Sequence, residues 1–256
     1  MEVEIKHAVK AGNSSAVILP RAWLNKEVRV ELVKKTPDKI LLEVLSIVKN
    51  HINLKDIIGI YLAGSYARHE ENDNSDIDIL IITENIDKEM IKEGIYNILV
   101  VSKELLKQKL ENDLFPIGQM LKEAKALINA GYLEGLNVKV TKKNVKWYLE
   151  TTKEKLKLID KTLEKSKDKI DSRIIYTLIL RIRTLYIIQK LIKNQVYSSK
   201  EFIELIAKIS GSKNAYLAYL AVKNDSKDKS LVTKEEAEKL YVYLKKQFDE
   251  VKRMLD

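Results

Sequence analysis

Apolar residues along the chain follow three periods in turn. Up to residue 35 they alternate or come in short runs, Val3 to Val9, Ala16 to Leu19 and Val28 to Val33. That pattern predicts three short strands, separated by Gly12-Asn13-Ser14 and by Pro20-Arg21-Ala22-Trp23-Leu24. After Lys34-Lys35-Thr36-Pro37 the apolar positions 40, 41, 44, 45 and 48 fit one face of a helix capped by Asp38. Three β-branched runs follow, Ile57 to Ala63, Ile77 to Thr83 and Ile95 to Val101, with a helix-like segment, Lys88 to Glu93, before the last. Beyond Ser102 nearly everything reads as helix: Lys103 to Asn112, Ile117 to Ala130 stopped by Gly131, Asn144 to Lys169, and two more opened by the capping-box patterns Ser198-x-x-Glu201 and Thr233-x-x-Glu236. Ser172 to Asn194 is the most apolar of these, with Ile175, Leu178, Ile179, Ile182, Leu185 and Ile188 among the residues covering over half its circumference, which predicts the centre of a bundle. The expectation is a three-part α+β chain: a small β unit over 1–36, an α/β core around a short mixed sheet over 37–115, and a helical bundle over 116–256.

Candidate chemistry concentrates in Leu62 to Ile82. Period-2 alternation places Ile77, Ile79 and Ile81 toward a core and projects Asp76 and Asp78 together from the other strand face, close enough to share a cation. Paired carboxylates suit Mg²⁺, which keeps several waters and is held by one or two protein carboxylates plus substrate phosphates. Gly64 lets backbone approach a ligand, Ser65 adds a hydroxyl, and a helix starting at Ser65 to Arg68 turns free amides toward an anion such as a triphosphate, with Arg68 able to reach the same charge. An Asp-x-Asp alone is more often a solvated pair; the combination with a Gly-Ser turn is the specific signal.

Gly64-Ser65 followed twelve residues on by Asp76-Ile77-Asp78, each set on an apolar strand, resembles the signature of the nucleotidyltransferase superfamily, in particular its minimal and kanamycin nucleotidyltransferase members. The resemblance implies transfer of a nucleoside monophosphate, AMP from ATP or another NTP, to a hydroxyl acceptor on a protein, RNA or small molecule, with Mg²⁺ or Mn²⁺. It makes Asp76 and Asp78 the metal ligands and Gly64, Ser65 and Arg68 the nucleotide contacts. The third carboxylate of that family falls on Asn97, an uncharged amide, with Glu93 or Glu89 as substitutes.

The net charge of +9 is uneven: 8 basic minus 6 acidic residues give +2 over 1–45, 8 minus 13 give −5 over 46–115, and 30 minus 18 give +12 over 116–256. The acidic middle fits a cation site, and the basic remainder either attracts polyanions or, with 39 of 46 basic residues lysine, simply solvates helix faces. No cysteine and three scattered histidines, His7, His51 and His69, exclude disulfides and argue against zinc. No apolar run is long enough to span a bilayer and the N-terminus lacks a signal-peptide pattern, so a cytoplasmic protein is expected.

Gly12-Asn13-Ser14, Val17 and Pro20 resemble the AbrB-type swapped-hairpin fold, which implies a homodimer and offers Lys6, Lys10 and Arg21 as contacts for DNA phosphates. The C-terminal bundle resembles the kanamycin nucleotidyltransferase and HEPN helical domains, without the histidine of HEPN ribonucleases in Val222 to Lys227. Arg181 and Arg183 are expected to be ion-paired or snorkelling, and the tyrosines to be packing residues. The competing reading is a DNA-binding regulator or toxin–antitoxin-type interaction protein with a degenerate nucleotide-binding core.

Overall fold

Gly12, at φ +60°, turns the chain between β1 (Val9–Ala11) and β2 (Ser14–Ala16), which pair antiparallel with Val9 opposite Ala16. The computed structural model describes residues 4, 6, 8–30, 35–73, 75–166, 168, 170–226 and 232–256. The chain divides into two units, Met1–Thr36 and Pro37–Asp256. In the first, Arg21–Trp23 forms a single 3-10 turn and Val28 to Val30 is not in a strand. The predicted strands over 3–9 and 28–33 fall partly on Val3, Ile5, His7 and Glu31 to Val33, which lie outside the described residues.

The second unit begins with α1 (Pro37–Val48), whose first position is the proline that a helix start tolerates. A five-stranded sheet follows, built from β3 (Ile57–Ala63), β4 (Ile77–Thr83), β5 (Lys88–Glu93), β6 (Tyr96–Ser102) and β7 (Lys125–Ile128), in the order β5-β6-β4-β3-β7. Only β4 and β6 run parallel; the other pairings are antiparallel. Ile77, Ile79 and Ile81 pack with Ile60, Leu62, Ile98 and the α1 residues Ile40, Val44 and Val48. On the opposite face Leu80 and Ile82 join Tyr61, Val101, Leu106 of α3 (Lys103–Asn112) and Leu121 of α4 (Ile117–Glu123). The centre of β4 is thus covered on both sides, and the polar side chain of its second face is the half-buried Asp78 near the strand's start.

Two segments depart from their predicted type. Lys88 to Glu93 is a strand, because Gly94 at φ +59° closes a two-residue hairpin that lays it along β6 with Glu93 opposite Tyr96. The helix from Ile117 ends at Glu123, and Lys125–Ile128 extends to pair with the free edge of β3; a sheet edge that needs a partner overrides local helix propensity. The sheet therefore draws its last strand from beyond residue 115.

After α5 (Ala130–Glu134) come α6 (Lys146–Lys165), α7 (Ser172–Ile192), α8 (Ser199–Ser210), α9 (Asn214–Lys223) and α10 (Lys234–Leu255). α7 is the central helix, in contact with α6, α9 and α10, and its Ile175, Leu178, Ile182, Leu185 and Ile188 are fully buried. Thr233 and Glu236 form a complete capping box, whereas the pattern at Ser198 is only half formed: Ser198 caps Glu201 N–H, but the Glu201 carboxylate is drawn 2.8 Å to Lys190 Nζ. Among the described residues no helix is long and apolar enough to cross a membrane.

Candidate active site

β3 delivers the chain to Gly64, which has φ +67° and opens α2 (Gly64–Arg68). A Cβ built on Gly64 would lie 2.1 Å from Asp78 Oδ2, so only glycine lets the turn close against that carboxylate. Asp78 is held there from both sides: Ala63 is its partner on β3 and Asn97 its partner on β6. Asn97 Nδ2 lies 3.5 Å from Asp78 Oδ1, a long donor contact. Asp76 sits just ahead of β4 and is exposed, while Asp78 is half-buried.

Burial pushes the Asp78 carboxyl up, and the charge of Asp76 pushes it further, against the Asn97 amide and the positive charges of Arg68 and Lys223. A cation between the two carboxylates would relieve both raising effects, which is the electrostatic condition a hard metal meets. Among the described residues no group of three or more His, Asp, Glu or Cys side chains comes together. A two-carboxylate site of this kind fits Mg²⁺ bound jointly with substrate phosphates rather than a protein-only cage.

Glu93 does not stand in for a third carboxylate. It is paired with Tyr96, whose ring belongs to the α1-side core, so it projects from the face away from Asp78 and lies 4.0 Å from His51. Lys92 is the β5 residue opposite Asn97. Glu89 lies where the β5 register breaks, and is exposed.

Three neighbours of the candidate site were not legible as such. Glu123, buried at the end of α4, accepts the Gly64 amide at 2.8 Å through Oε1 and Arg68 Nη1 at 2.5 Å through Oε2. The Gly64 N–H and most of the Arg68 fork are thereby engaged within the protein, where the sequence suggested phosphate contacts. Glu70 accepts Arg68 Nε at 2.9 Å, Ser198 Oγ–H at 2.6 Å and Ser199 N–H at 3.0 Å. Burial alone would raise the Glu70 carboxyl, but the Ser198, Arg68 and Ser199 donors outweigh it and hold it down at about 2. Lys223, at the end of α9, is close enough to act electrostatically on Asp78. Glu123 was hidden because its partners are 55 and 59 residues away in sequence, beyond any local spacing.

From the bundle, Tyr197 presents its ring to two guanidinium groups, Arg68 and Arg183, each 5.3 Å from the centroid. Arg183 Nε donates to Tyr197 Oη at 3.3 Å, and its charge is supported by the phenols of Tyr197 and Tyr219 rather than by a carboxylate. Arg181 donates instead to Thr151 Oγ1 at 2.9 Å.

Residues 42–131, the segment that carries this geometry, match the family model described as polymerase beta, nucleotidyltransferase. That segment is similar to the nucleotidyltransferases. It runs from within α1 to the start of α5 and contains Gly64, Ser65, Asp76, Asp78, Asn97 and Glu123. Among solved structures, a spectinomycin adenyltransferase, AAD(9), of Enterococcus faecialis with ATP and spectinomycin aligns over 82% of this chain and 98% of its own, at 15% identity and a TM-score of 0.43. No curated protein matches the chain. The fold is nucleotidyltransferase-like, a mixed sheet with helices, accompanied by the small β1–β2 hairpin.

Proposed function

We propose that the chain is a Mg²⁺-dependent nucleotidyltransferase that moves a nucleoside monophosphate, AMP from ATP, to a hydroxyl acceptor. The observation that carries this reading is the close approach of the Gly64 turn to Asp78 Oδ2, which brings that carboxylate, two residues after Asp76, against the start of α2. Asp76 and Asp78 would hold the metal, whose chemistry when bound is to neutralise phosphate charge and align the phosphorus under attack. Ser65, in the first turn of α2, offers its hydroxyl to a phosphate oxygen. Lys223, a cation from the bundle that acts on Asp78, suits the departing pyrophosphate end, where negative charge develops. Asn97 donates to Asp78 Oδ1 across 3.5 Å, and as the acceptor oxygen bonds to phosphorus and pyrophosphate leaves, the hydroxyl proton passes to solvent. The test is Mg²⁺-dependent ATP binding that disappears in Asp76→Ala/Asp78→Ala protein.

The N-terminal unit supports association of two copies, because Ile18, Leu24 and Val30 are each about 70% exposed and 1–36 is too short to build its own core. Deleting 1–36 should leave a monomer in light scattering; a deletion variant that remains a dimer would contradict it. Lys6, Lys10 and Arg21 of the same unit are the residues a DNA contact would use, and that binding should vanish with the same deletion.

A further inference from the structure

Arg68 joins three parts of the second unit. Nη1 reaches Glu123 on α4, Nε reaches Glu70, and Nη2 lies 3.3 Å from Ser199 Oγ at the start of α8. Its side chain is 10% exposed and that of Glu123 3%. The other oxygen of Glu123 holds the Gly64 amide, and Glu70 takes the Ser198 hydroxyl and the Ser199 amide of α8. Beside this network Tyr197, just ahead of α8, stacks on the same guanidinium and on Arg183. One cation therefore ties the glycine turn to the bundle wall that faces it.

The charges explain why the tie is needed. Glu123 is a buried carboxylate bonded to the residue that touches Asp78, with Asp76 close by. A buried anion whose counter-ion is removed is strongly unfavourable, whereas removing both members of a buried pair is often close to neutral. Resting on the nucleotide-binding reading above, we infer that Arg68, Glu123 and Glu70 are positioning residues: they shape the Gly64 turn around Asp78 and hang the Tyr197–Arg183 wall on it. Arg68 itself does not touch the nucleotide. This reassigns the one arginine of the turn from phosphate reader to counter-ion.

The two roles separate in a double-mutant cycle of Arg68→Met and Glu123→Gln, read by MgATP affinity in calorimetry and by thermal unfolding. The amide oxygen that Glu123→Gln introduces can still accept the Gly64 N–H, while the buried charge is gone. Arg68→Met should lower MgATP affinity by at least about tenfold and lower Tm, and Arg68→Met/Glu123→Gln should recover the larger part of the Tm loss, Glu70 lacking only its Arg68 donor and keeping Ser198 and Ser199, and bring affinity to within about threefold of wild type. Recovery of Tm without recovery of affinity would show a lost phosphate contact and overturn the inference. Recovery of neither would overturn the charge coupling itself. If wild-type protein binds no MgATP, the nucleotide reading fails instead, and the Tm cycle still decides whether Arg68 serves Glu123. Should Arg68→Met not fold, Arg68→Gln with and without Glu123→Gln completes the same cycle, since glutamine also removes the charge while keeping a polar side chain.

Discussion

Gly64→Ala should destabilise the protein by about 2–5 kcal/mol and eliminate MgATP binding. A left-handed φ of +67° costs an alanine about 1–2 kcal/mol, and forcing a methyl group into an occupied site adds typically 1–3 kcal/mol. Here the occupied site is Asp78 Oδ2, 2.1 Å from the new carbon, so relief must come from moving either the turn or the carboxylate. The Glu123 bond to the Gly64 amide resists the first movement and the β4 pairing to Ala63 and Asn97 resists the second. Urea unfolding measures the stability, and calorimetry the affinity. An alanine variant as stable as wild type that still binds MgATP would mean that the close approach does not govern the site. Gly94, also at positive φ but with open space around its Cβ, provides the contrast: Gly94→Ala carries the strain alone and should leave nucleotide binding intact.

Asn97→Asp should raise transfer of label from α-labelled ATP by at least about tenfold, which is about 1.4 kcal/mol in the barrier. The new carboxylate would sit directly beside Asp78 in the parallel β4–β6 ladder and replace an amide that now donates to Asp78 Oδ1 across 3.5 Å. Without metal the variant sets two carboxylates in contact and loses that donor, so it should be less stable than wild type. With Mg²⁺ the same pair becomes a stronger cation site and stability should return, an effect expected to be weaker in wild type. A neighbouring carboxylate can also take the acceptor proton, and general-base help is worth roughly 10²–10⁴-fold in other enzymes. Transfer is measured with cell extract as the acceptor source. No gain in transfer together with no Mg²⁺-dependent stability would remove residue 97 from the site.

The parts legible in sequence were those fixed by local pattern. Ile57 to Ala63 and Ile77 to Thr83 emerge with the strand limits their β-branched runs predict, and the third run, Ile95 to Val101, is displaced by a single residue to Tyr96–Ser102. The juxtaposition of Gly64 with Asp78 follows from those two strands pairing antiparallel, and that of Asp78 with Asn97 from β4 and β6 running parallel. What was not legible depends on tertiary partners. β5 is an exposed edge strand with little apolar periodicity, and its type was decided by the Gly94 hairpin. β7 exists because β3 had a free edge. Arg68 looked like an anion contact because its two glutamate partners, Glu70 and Glu123, look in sequence like ordinary solvated acids. The Glu201 half of the predicted capping box was likewise lost to Lys190, a partner from α7.

The central claim is that Asp76 and Asp78 hold the cation of a bound nucleotide, and calorimetric titration of ATP in the presence and absence of Mg²⁺ tests it most directly. Wild-type protein should bind ATP with Mg²⁺ and lose most of that affinity when the metal is chelated, because two carboxylates facing a triphosphate repel it without a cation between them. Asp76→Ala/Asp78→Ala protein should show no Mg²⁺-dependent binding while keeping its circular dichroism and Tm, since Asp76 is exposed and burial already disfavours the charge of Asp78. A double variant that binds MgATP as wild type does would contradict the assignment of this site.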